Sequence, residues 1–432
     1  MIEFRRIKLV LIFLIPIVIS IYFLIAWHRD PISSDGREYD TLAKNIISLK
    51  GYTLNGITPY ALRPPLYSLF VALLYMITKC NPTAVVIVQI FLVAFIPYFL
   101  YKILIFAGFE EKRSFFAALS VALYPFGYIY VQQLVTEPLT TFLFVISSYF
   151  VVRVWLNDDL KFCEVLISGI IITLPALSKS QHISLISALV VSLTIKGFIE
   201  KDLLKKVKLK IIPLLLGALI VLSPWALRNY YHFKDPAILG EGAFGELLLK
   251  GFYETKGRFL LLTFWNEKNS GELQSFKDWK SKMDEAEMLS KQEKVSLGVA
   301  KKKIAIEQIK KEPLEAIRGY IVRFYSFWVM IPTEQSNKIK FLVIVVEITL
   351  LILSAIGFVM FYKPLINRLF PIYLCILAEN AILALGHMEA RYSITLKVFI
   401  IMCIGFLLSE LIERLSNVRK LTISYNHHSN KE

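Results

Sequence analysis

Two acidic residues, Asp35 and Glu137, stand at predicted helix starts where carboxylates could do chemistry. Asp35 is the third residue of the stretch SSDGREYDTLAKNIISLKGY, and Glu137 lies in VTEPLTTF before a long apolar run. One carboxylate can act as a general base while a second beside it is its electrostatic companion. Each also has a structural interpretation. Asp35 can be an N-cap, with Glu38 completing a capping box, and Glu137 can face the helix dipole.

Four cations are predicted near the same water boundary. Arg63 precedes a Pro-Pro pair, Arg228 lies in SPWALRNYY, and Lys179 and Arg391 follow or precede apolar runs. A single arginine or lysine at a helix end often only snorkels. Several converging cations beside carboxylates instead predict an anion site, and a guanidinium suits phosphate well.

Aromatic residues and one histidine complete the candidate site. Tyr39, Tyr60 and Trp225 are candidates for stacking on a sugar, although interfacial aromatics are commonly membrane anchors. The segment HMEARY contains His387 and Tyr392, which we predict, with Lys179, to contact substrate. Metal ligation by the histidine and glutamate of HMEARY has weak support, because no second histidine sits at helical spacing.

The composition indicates a membrane protein that crosses the bilayer several times. Of 432 residues, 56% are hydrophobic, the mean hydropathy is +0.57, and several runs of about twenty residues lack charges. The net charge of +15 falls mostly in connections between these runs, where the positive-inside rule explains it without nucleic acid. The four cysteines form no C-x-x-C pair and indicate neither a metal site nor a disulfide framework.

Hydropathy predicts an all-α protein with about ten spanning helices, in one transmembrane domain over residues 1–412 followed by a mobile polar tail, 413–432. Two extracytoplasmic loops follow, one over 28–82 with interfacial helices and one over 228–338 that is mostly helical. Within the second loop, 291–311 is predicted to be helical up to Pro313, and 314–330 to return to the membrane surface. The predicted spans are 7–27, 83–107, 114–132, 138–156, 163–178, 182–198, 211–227, 339–362, 369–386 and 394–412.

The apolar stretch 66–79 is predicted not to cross. A crossing there would put Lys112, Arg113 and the lysine-rich run 196–210 on the opposite side from the basic N-terminus. The stretch is also shorter than a span and begins with two prolines. Parity then places the candidate residues outside and the basic connections in the cytoplasm, which indicates the cytoplasmic (inner) membrane.

Five motifs, taken in order, carry a resemblance to a known family. They are D-x-x-x-Y at Asp35, RPPLY at Arg63, TEP at Thr136, PWALRN at Pro224 and ARY at Ala390. In order and in placement they resemble the GT-C fold glycosyltransferases of the superfamily of bacterial protein O-mannosyltransferases and lipid A aminoarabinose transferases. Gly36 departs from the family, since many relatives have a second acidic residue there, and so does Arg63, where the aminoarabinose enzymes have lysine.

The resemblance implies transfer of a sugar from a polyprenyl-phosphate donor to a lipid, glycan or protein acceptor outside the membrane. It implies that Asp35 activates the acceptor hydroxyl, that Glu137 supports the sugar or the developing positive charge, and that Arg63, Arg228 and Arg391 bind the carrier phosphate. It implies no bound nucleotide and leaves a divalent cation as an optional cofactor. Membrane lipids are further partners.

Two other functions remain open from the sequence. A transporter or flippase for a lipid-linked saccharide would place ionisable groups inside its spans, as Glu347 and Glu379 are here. A lipid-carrier-dependent polymerase or ligase would share the carrier chemistry but use a saccharide chain as donor. The chain has no G-x-x-x-x-G-K-[ST], G-x-S-x-G or H-E-x-x-H motif, so ATP-driven transport and zinc proteolysis lack their usual signals.

Overall fold

Apolar runs in hydrocarbon fold into helices because their backbone groups must be paired within the segment. The computed structural model describes residues 2–27, 29–33, 35–233, 243–256, 274–293, 297–329 and 337–429. Within these residues, eight helices are long and apolar enough to cross a membrane. The protein is therefore an all-α polytopic membrane protein, which confirms the predicted fold class.

Sixteen α-helices of at least ten residues lie in the described part of the chain. In order they are α1 Ile2–Ala26, α2 Gly36–Ile47, α3 Pro65–Thr78, α4 Pro82–Phe106, α5 Glu111–Ala122, α6 Glu137–Leu156, α7 Phe162–Ser178, α8 Ser184–Ile199, α9 Ile212–Phe233, α10 Ala243–Thr255, α11 Gln274–Glu293, α12 Leu297–Lys311, α13 Pro313–Ser326, α14 Asn337–Met360, α15 Tyr362–Leu383 and α16 Ile394–Ser429.

The connections between the helices collect at two ends of one bundle. At one end, the Leu134 amide donates to the Pro31 carbonyl at 2.9 Å, and Arg391 pairs with Asp35 at 2.7 Å. We call this the carboxylate end. At the other end, which we call the basic end, Asp158 pairs with Lys210 at 2.6 Å. The lysine-rich connections predicted to share one side therefore meet at one end.

The predicted span 114–132 is wrong as a continuous helix. Helix α5 ends at Ala122 and is followed by a 3-10 turn, Pro125–Tyr128, and by irregular backbone up to α6. Tyr124, the residue before the proline, is extended, with ψ of 101°, because proline disfavours a helical conformation in its predecessor. Hydropathy alone cannot detect this break, because the residues after Ala122 stay apolar.

Side chains pair the irregular backbone that follows α5. The Gln89 amide nitrogen on α4 donates to the carbonyls of Val131 at 2.7 Å and Gln133 at 3.0 Å, and the Tyr67 hydroxyl donates to Gln89 Oε1 at 2.7 Å. Irregular backbone at membrane depth is tolerated only where protein or water satisfies it. Gln89 therefore fixes the segment that leads to Glu137.

Helix α3 occupies the stretch predicted to lie on the membrane surface. It is 14 residues long and packs against α2, with the rings of Tyr39 and Tyr67 4.7 Å apart and the Tyr75 hydroxyl donating to Asp40 Oδ1 at 2.7 Å. Its opposite face exposes Leu69, Leu73, Met76 and Ile77. The two short helices pack together at the carboxylate end, where Arg63, just before α3, contacts Asp35 and Glu38 at the start of α2.

Other predicted elements differ in extent. The predicted span 163–178 is the 17-residue helix α7, shorter than the eight long helices. The predicted helix 291–311 begins later, as α12, and Pro313 starts α13 rather than only ending its predecessor. The tail after Glu413, predicted to be mobile, continues α16 to Ser429, and near its start Arg414 pairs with Glu410 one turn back.

Two carboxylates inside apolar helices, Glu347 and Glu379, are buried in the bundle interior. Glu347 pairs with Lys397 at 2.7 Å and accepts from the Tyr124 hydroxyl at 2.6 Å. Glu379 accepts from Ser184 Oγ at 2.6 Å and lies 3.1 Å from His182 Nδ1. Buried ions persist only when partners replace their hydration. Both carboxylates therefore hold helices together.

Candidate active site

Asp35 lies at the centre of the carboxylate end. Its Oδ1 accepts from Arg63 Nη2 at 2.9 Å, and its Oδ2 accepts from Arg391 Nη2 at 2.7 Å. The side chain makes no hydrogen bond to the first turn of α2, so the N-cap interpretation of the side chain is wrong. Both oxygens are instead held by guanidinium groups that come from distant parts of the chain.

Glu38 is a member of the site that the sequence assigned only to a capping box. Its Oε2 accepts from Arg63 Nε at 2.8 Å and from the Tyr60 hydroxyl at 2.9 Å. Arg63 thus bridges two carboxylates that are one turn apart at the start of α2, and its guanidinium also lies 5.4 Å from the ring centroid of Tyr39. The spacing of Asp35 and Glu38, three residues apart on one helix face, is the signal that could have found it.

Glu137, the first residue of α6, lies beside this pair and is only 5% exposed. Its Oε1 accepts from Lys179 Nζ at 3.0 Å and lies 3.8 Å from Arg391 Nε. Lys179 Nζ is also 3.9 Å from the ring centroid of Tyr392, which is a cation–π distance. The structure therefore brings together Asp35, Glu137, Lys179, Arg391 and Tyr392.

The charges of this cluster set the protonation of its exposed members. Burial alone would raise the pKa of the Asp35 carboxyl, but Arg391 and Arg63 outweigh it and lower the pKa below its usual value. Burial lowers the pKa of Lys179, and Glu137 restores only part of it. Burial and Glu38 raise the pKa of the Tyr60 phenol, which therefore stays a hydrogen-bond donor. Asp35 is thus an ionised but poorly basic carboxylate while both arginines hold it.

Arg228 contacts the first loop rather than the carboxylates. Its guanidinium donates to the carbonyl oxygens of Tyr60 at 2.8 Å and Tyr52 at 3.2 Å and lies 4.8 Å from the ring of Trp225. Within the described residues it forms no ion pair with a carboxylate. Arg228 therefore positions the loop that carries Arg63.

Three predicted substrate-contacting residues are buried in protein contacts. Tyr39 packs edge-on against Tyr67, and Trp225 packs edge-on against Tyr52, with ring centroids 5.1 Å apart. His387 is 6% exposed and its Nδ1 lies 2.7 Å from Glu254 Oε2. Of the predicted aromatics, Tyr60 and Tyr392 remain partly exposed at the cluster.

The backbone around Gly36 leaves no room for a side chain at that position. A Cβ built on Gly36 would lie 2.6 Å from the Pro31 carbonyl oxygen, so α2 begins too close to the preceding segment for any side chain. A second acidic residue cannot follow Asp35 in this backbone. Glu38 supplies a carboxylate one turn later instead.

Among the described residues, no group of three or more histidine, cysteine, aspartate or glutamate side chains is arranged to hold a metal ion. The carboxylates of the cluster face guanidinium and ammonium groups, as the contacts above show. Guanidinium and ammonium groups of this kind bind anionic ligands, which would compete with the carboxylates for them.

The fold and the cluster describe a polytopic membrane protein with an acid–cation site at one end of its helices. The family model of the dolichyl-phosphate-mannose-protein mannosyltransferases matches residues 62–227. This segment is less than half of the chain. It contains Arg63, Glu137 and Lys179 but not Asp35 or Arg391. A comparison with curated proteins gives no match. The family match suggests a membrane glycosyltransferase that uses a lipid-linked sugar donor.

Proposed function

We propose that this protein is a membrane glycosyltransferase that transfers a sugar from a polyprenyl-phosphate donor to an acceptor hydroxyl on a lipid, glycan or protein. One observation carries the proposal: the two oxygens of Asp35 are held by Arg63 and Arg391, from opposite ends of the sequence. A carboxylate between two guanidinium groups supplies a base and a phosphate site in one place. The family match over 62–227 supports the same class of reaction.

Donor binding would free Asp35 to act as the base. Arg63 keeps its Nε on Glu38 and uses Nη2 for Asp35, and within the described residues its Nη1 makes no hydrogen bond to protein. A phosphate approaching that Nη1–Nη2 edge can bind bidentately and competes with Asp35 for Nη2. Removing one arginine from Asp35 raises its basicity at the moment when the donor is bound.

The reaction then needs one base and no separate acid. The acceptor oxygen attacks the anomeric carbon from the side opposite the phosphate, the bond from carbon to phosphate oxygen breaks, and the hydroxyl proton passes to Asp35. The leaving polyprenyl phosphate keeps the electron pair, and Arg63 and Arg391 stabilise its charge. In-line displacement inverts the anomeric configuration. Glu137, buried between Lys179 and Arg391, orients these two cations.

The active site is proposed to face the extracytoplasmic side of the cytoplasmic membrane. The basic end carries the lysine-rich connections, and the positive-inside rule assigns such an end to the cytoplasm. The carboxylate end is then outside, where a carrier lipid presents its sugar. A transporter has less support, because Glu347 and Glu379 are both held by neighbouring side chains and not free along a pathway.

The test uses purified full-length protein with a panel of polyprenyl-phosphate sugars, and follows the release of free polyprenyl phosphate. We expect one donor to turn over and Asp35→Asn to lose about a hundredfold or more in kcat, the usual size of a general-base contribution. Arg63→Ala should raise the KM for the donor and lower kcat, since it both binds and stabilises the phosphate.

Asp40→Asn is the matched control. Asp40 lies on the same helix, is buried, and accepts from the Tyr75 hydroxyl, which the asparagine oxygen can still do. Its variant should keep wild-type turnover. If no donor is consumed, or if Asp35→Asn keeps full activity, the proposed function is contradicted and the transporter becomes the better-supported function.

A further inference from the structure

His387 lies where the second outer loop contacts the candidate active site. Its Nδ1 is 2.7 Å from Oε2 of Glu254 on α10, and its backbone amide donates to the carbonyl of Leu247 at 2.7 Å. Both His387 and Glu254 are buried. A neutral or charged imidazole can donate from Nδ1 to the carboxylate, so this contact holds in either protonation state.

Among the described residues, two groups of opposite kind lie near the second ring nitrogen. Nε2 of His387 lies 3.3 Å from Nζ of Lys250, a donor, and 3.6 Å from Oε1 of Glu389, an acceptor. A neutral ring that donates from Nδ1 can only accept at Nε2, and so it engages Lys250. A protonated ring donates from Nε2 and so engages Glu389. The proton on this nitrogen decides which partner is used.

Glu389 continues the contacts into the cluster. Its other oxygen, Oε2, lies 2.5 Å from Arg391 Nε, and Arg391 holds Asp35. Glu389 can therefore bind His387 and Arg391 at the same time, one with each oxygen. With His387 protonated, alternating charges run without a break from Glu254 to Asp35.

The outer-loop helices rest directly on the segment that contains His387. A Cβ on Gly251 of α10 would lie 2.5 Å from the carbonyl carbon of Gly386, so the two backbones touch. Arg323 of α13 donates to the carbonyls of Ala384 at 2.7 Å and Gly251. A change in the contacts of His387 therefore acts on a tight joint between α10 and the site.

We infer that His387 is a positioning residue that connects α10 to Arg391 only when it is protonated, so that the docking of the outer-loop helices depends on pH. Among the described residues, the charged groups that face its ring include Glu254 and Lys250 on α10 and Glu389 in its own segment, with Arg323 of α13 beyond Glu254. The inference about docking rests on these contacts and does not require the proposed function. Its effect on catalysis, through Arg391, rests on the proposed function.

The sign of the pH effect follows from the neighbours. Burial would lower the pKa of His387, but Glu254 and Glu389 outweigh it and raise the pKa above its usual value. A raised pKa means that the protonated ring stabilises the folded joint fully below the unfolded value of about 6.5, and that this contribution is lost as the pH rises through the folded pKa. Docking should therefore loosen on the alkaline side.

Hydrogen–deuterium exchange of the full chain in nanodiscs tests this without any substrate. After correction for the chemical exchange rate, peptides covering 243–256 should exchange about threefold or more faster at about pH 8.5 than at about pH 6. His387→Asn, whose amide can keep the Nδ1 contact to Glu254, should exchange fast at both pH values. Glu389→Gln removes the negative charge and leaves one acceptor oxygen where His387 and Arg391 need two. It should do the same, which covers the case in which His387→Asn fails to fold.

His182→Asn is the control, since His182 is the other described buried histidine on a carboxylate and should leave the pH dependence of 243–256 unchanged. Equal corrected exchange at both pH values, or a wild-type pH dependence in His387→Asn, overturns the inference.

Where a donor turns over, the wild-type kcat/KM should decrease on the alkaline side, and this decrease should be absent in His387→Asn. Absence of any turnover contradicts the proposed function only, because the exchange result does not depend on it.

Discussion

Asp35 and Glu38 lie one helical turn apart, and both contact Arg63 rather than the start of their own helix. Each side chain could have capped α2, and the choice was made by a guanidinium 25 to 28 residues further along the chain. Both partners are ionised in an arginine–carboxylate hydrogen bond, whereas a cap uses a neutral backbone N–H, so the arginine wins where the backbone brings it within reach. Local sequence patterns cannot decide between these partners.

Glu38→Gln tests whether Glu38 holds Arg63 in place. Glutamine keeps one acceptor but loses the charge, so Arg63 becomes free to turn away from the phosphate position. We expect the KM for the donor to rise about tenfold with kcat changed much less, because one charge-assisted bond on a partly exposed carboxylate corresponds to about 1.4 kcal/mol. Steady-state kinetics with the donor found for the wild type measures both constants.

Glu110→Gln is the control for this substitution. Glu110 also pairs with an arginine, Arg113 at 3.5 Å, but at the basic end, and its variant should keep wild-type constants. If Glu38→Gln matches the wild type in KM and kcat, Glu38 is only a solvated helix residue.

At the scale of elements, the break after α5 is what places Glu137 beside Asp35. A continuous helix over 114–132 would pair its own backbone and need nothing from α4. The break instead leaves carbonyl groups that Gln89 satisfies, and the amide of Leu134 donates to the Pro31 carbonyl. The cluster is therefore positioned by an irregular segment with fixed partners.

Gln89→Leu removes those partners without changing the size of the side chain much. Two buried carbonyls lose their donor, at about 1–3 kcal/mol for each unsatisfied group, so the variant should be less stable than the wild type by several kcal/mol. Thermal unfolding in detergent measures the loss as a lower Tm, and activity should fall with it because Glu137 follows this segment.

Tyr101→Phe on the same helix is the matched control. The Tyr101 hydroxyl is buried and makes no hydrogen bond within the described residues, so its removal should not lower the Tm. An unchanged Tm in Gln89→Leu would mean that water or another side chain satisfies the two carbonyls.

At the scale of the whole molecule, the orientation of the bundle decides which side the reaction uses. Cysteine labelling of intact cells with a membrane-impermeant thiol reagent tests it. Single cysteines at Ile57→Cys and Lys79→Cys flank α3, and both positions are exposed. If α3 does not cross, both should be labelled from outside, because they share the carboxylate end.

The exposed native Cys163 marks the basic end and should react only after the cells are permeabilised. The other three native cysteines are replaced when Cys163 is measured, and all four are replaced in the Ile57→Cys and Lys79→Cys proteins. Labelling at only one of the two positions flanking α3 would mean that this helix crosses the membrane. Labelling of Cys163 in intact cells would mean that the bundle has the opposite orientation in the membrane.

The sequence by itself determined the class of fold and the elements that carry the site. Long apolar runs set the spanning helices, since hydrocarbon leaves the backbone no other partners. Prolines and short apolar length set α3 apart from the spans, and the types of Asp35, Arg63, Glu137 and Arg391 indicated an anion site. These properties depend on residues that are close together in the sequence, and so a local sequence pattern is enough to predict them.

Only the tertiary structure decided which of these residues meet. Arg391 reaches Asp35 across 356 positions of the chain, Arg228 turns to the loop carbonyls, and His387 is buried against α10. The break after α5 likewise depends on a glutamine of α4. In each case, partners distant in sequence compete for one side chain. The close packing of the helices decides which partner is near enough and buried enough to make the contact.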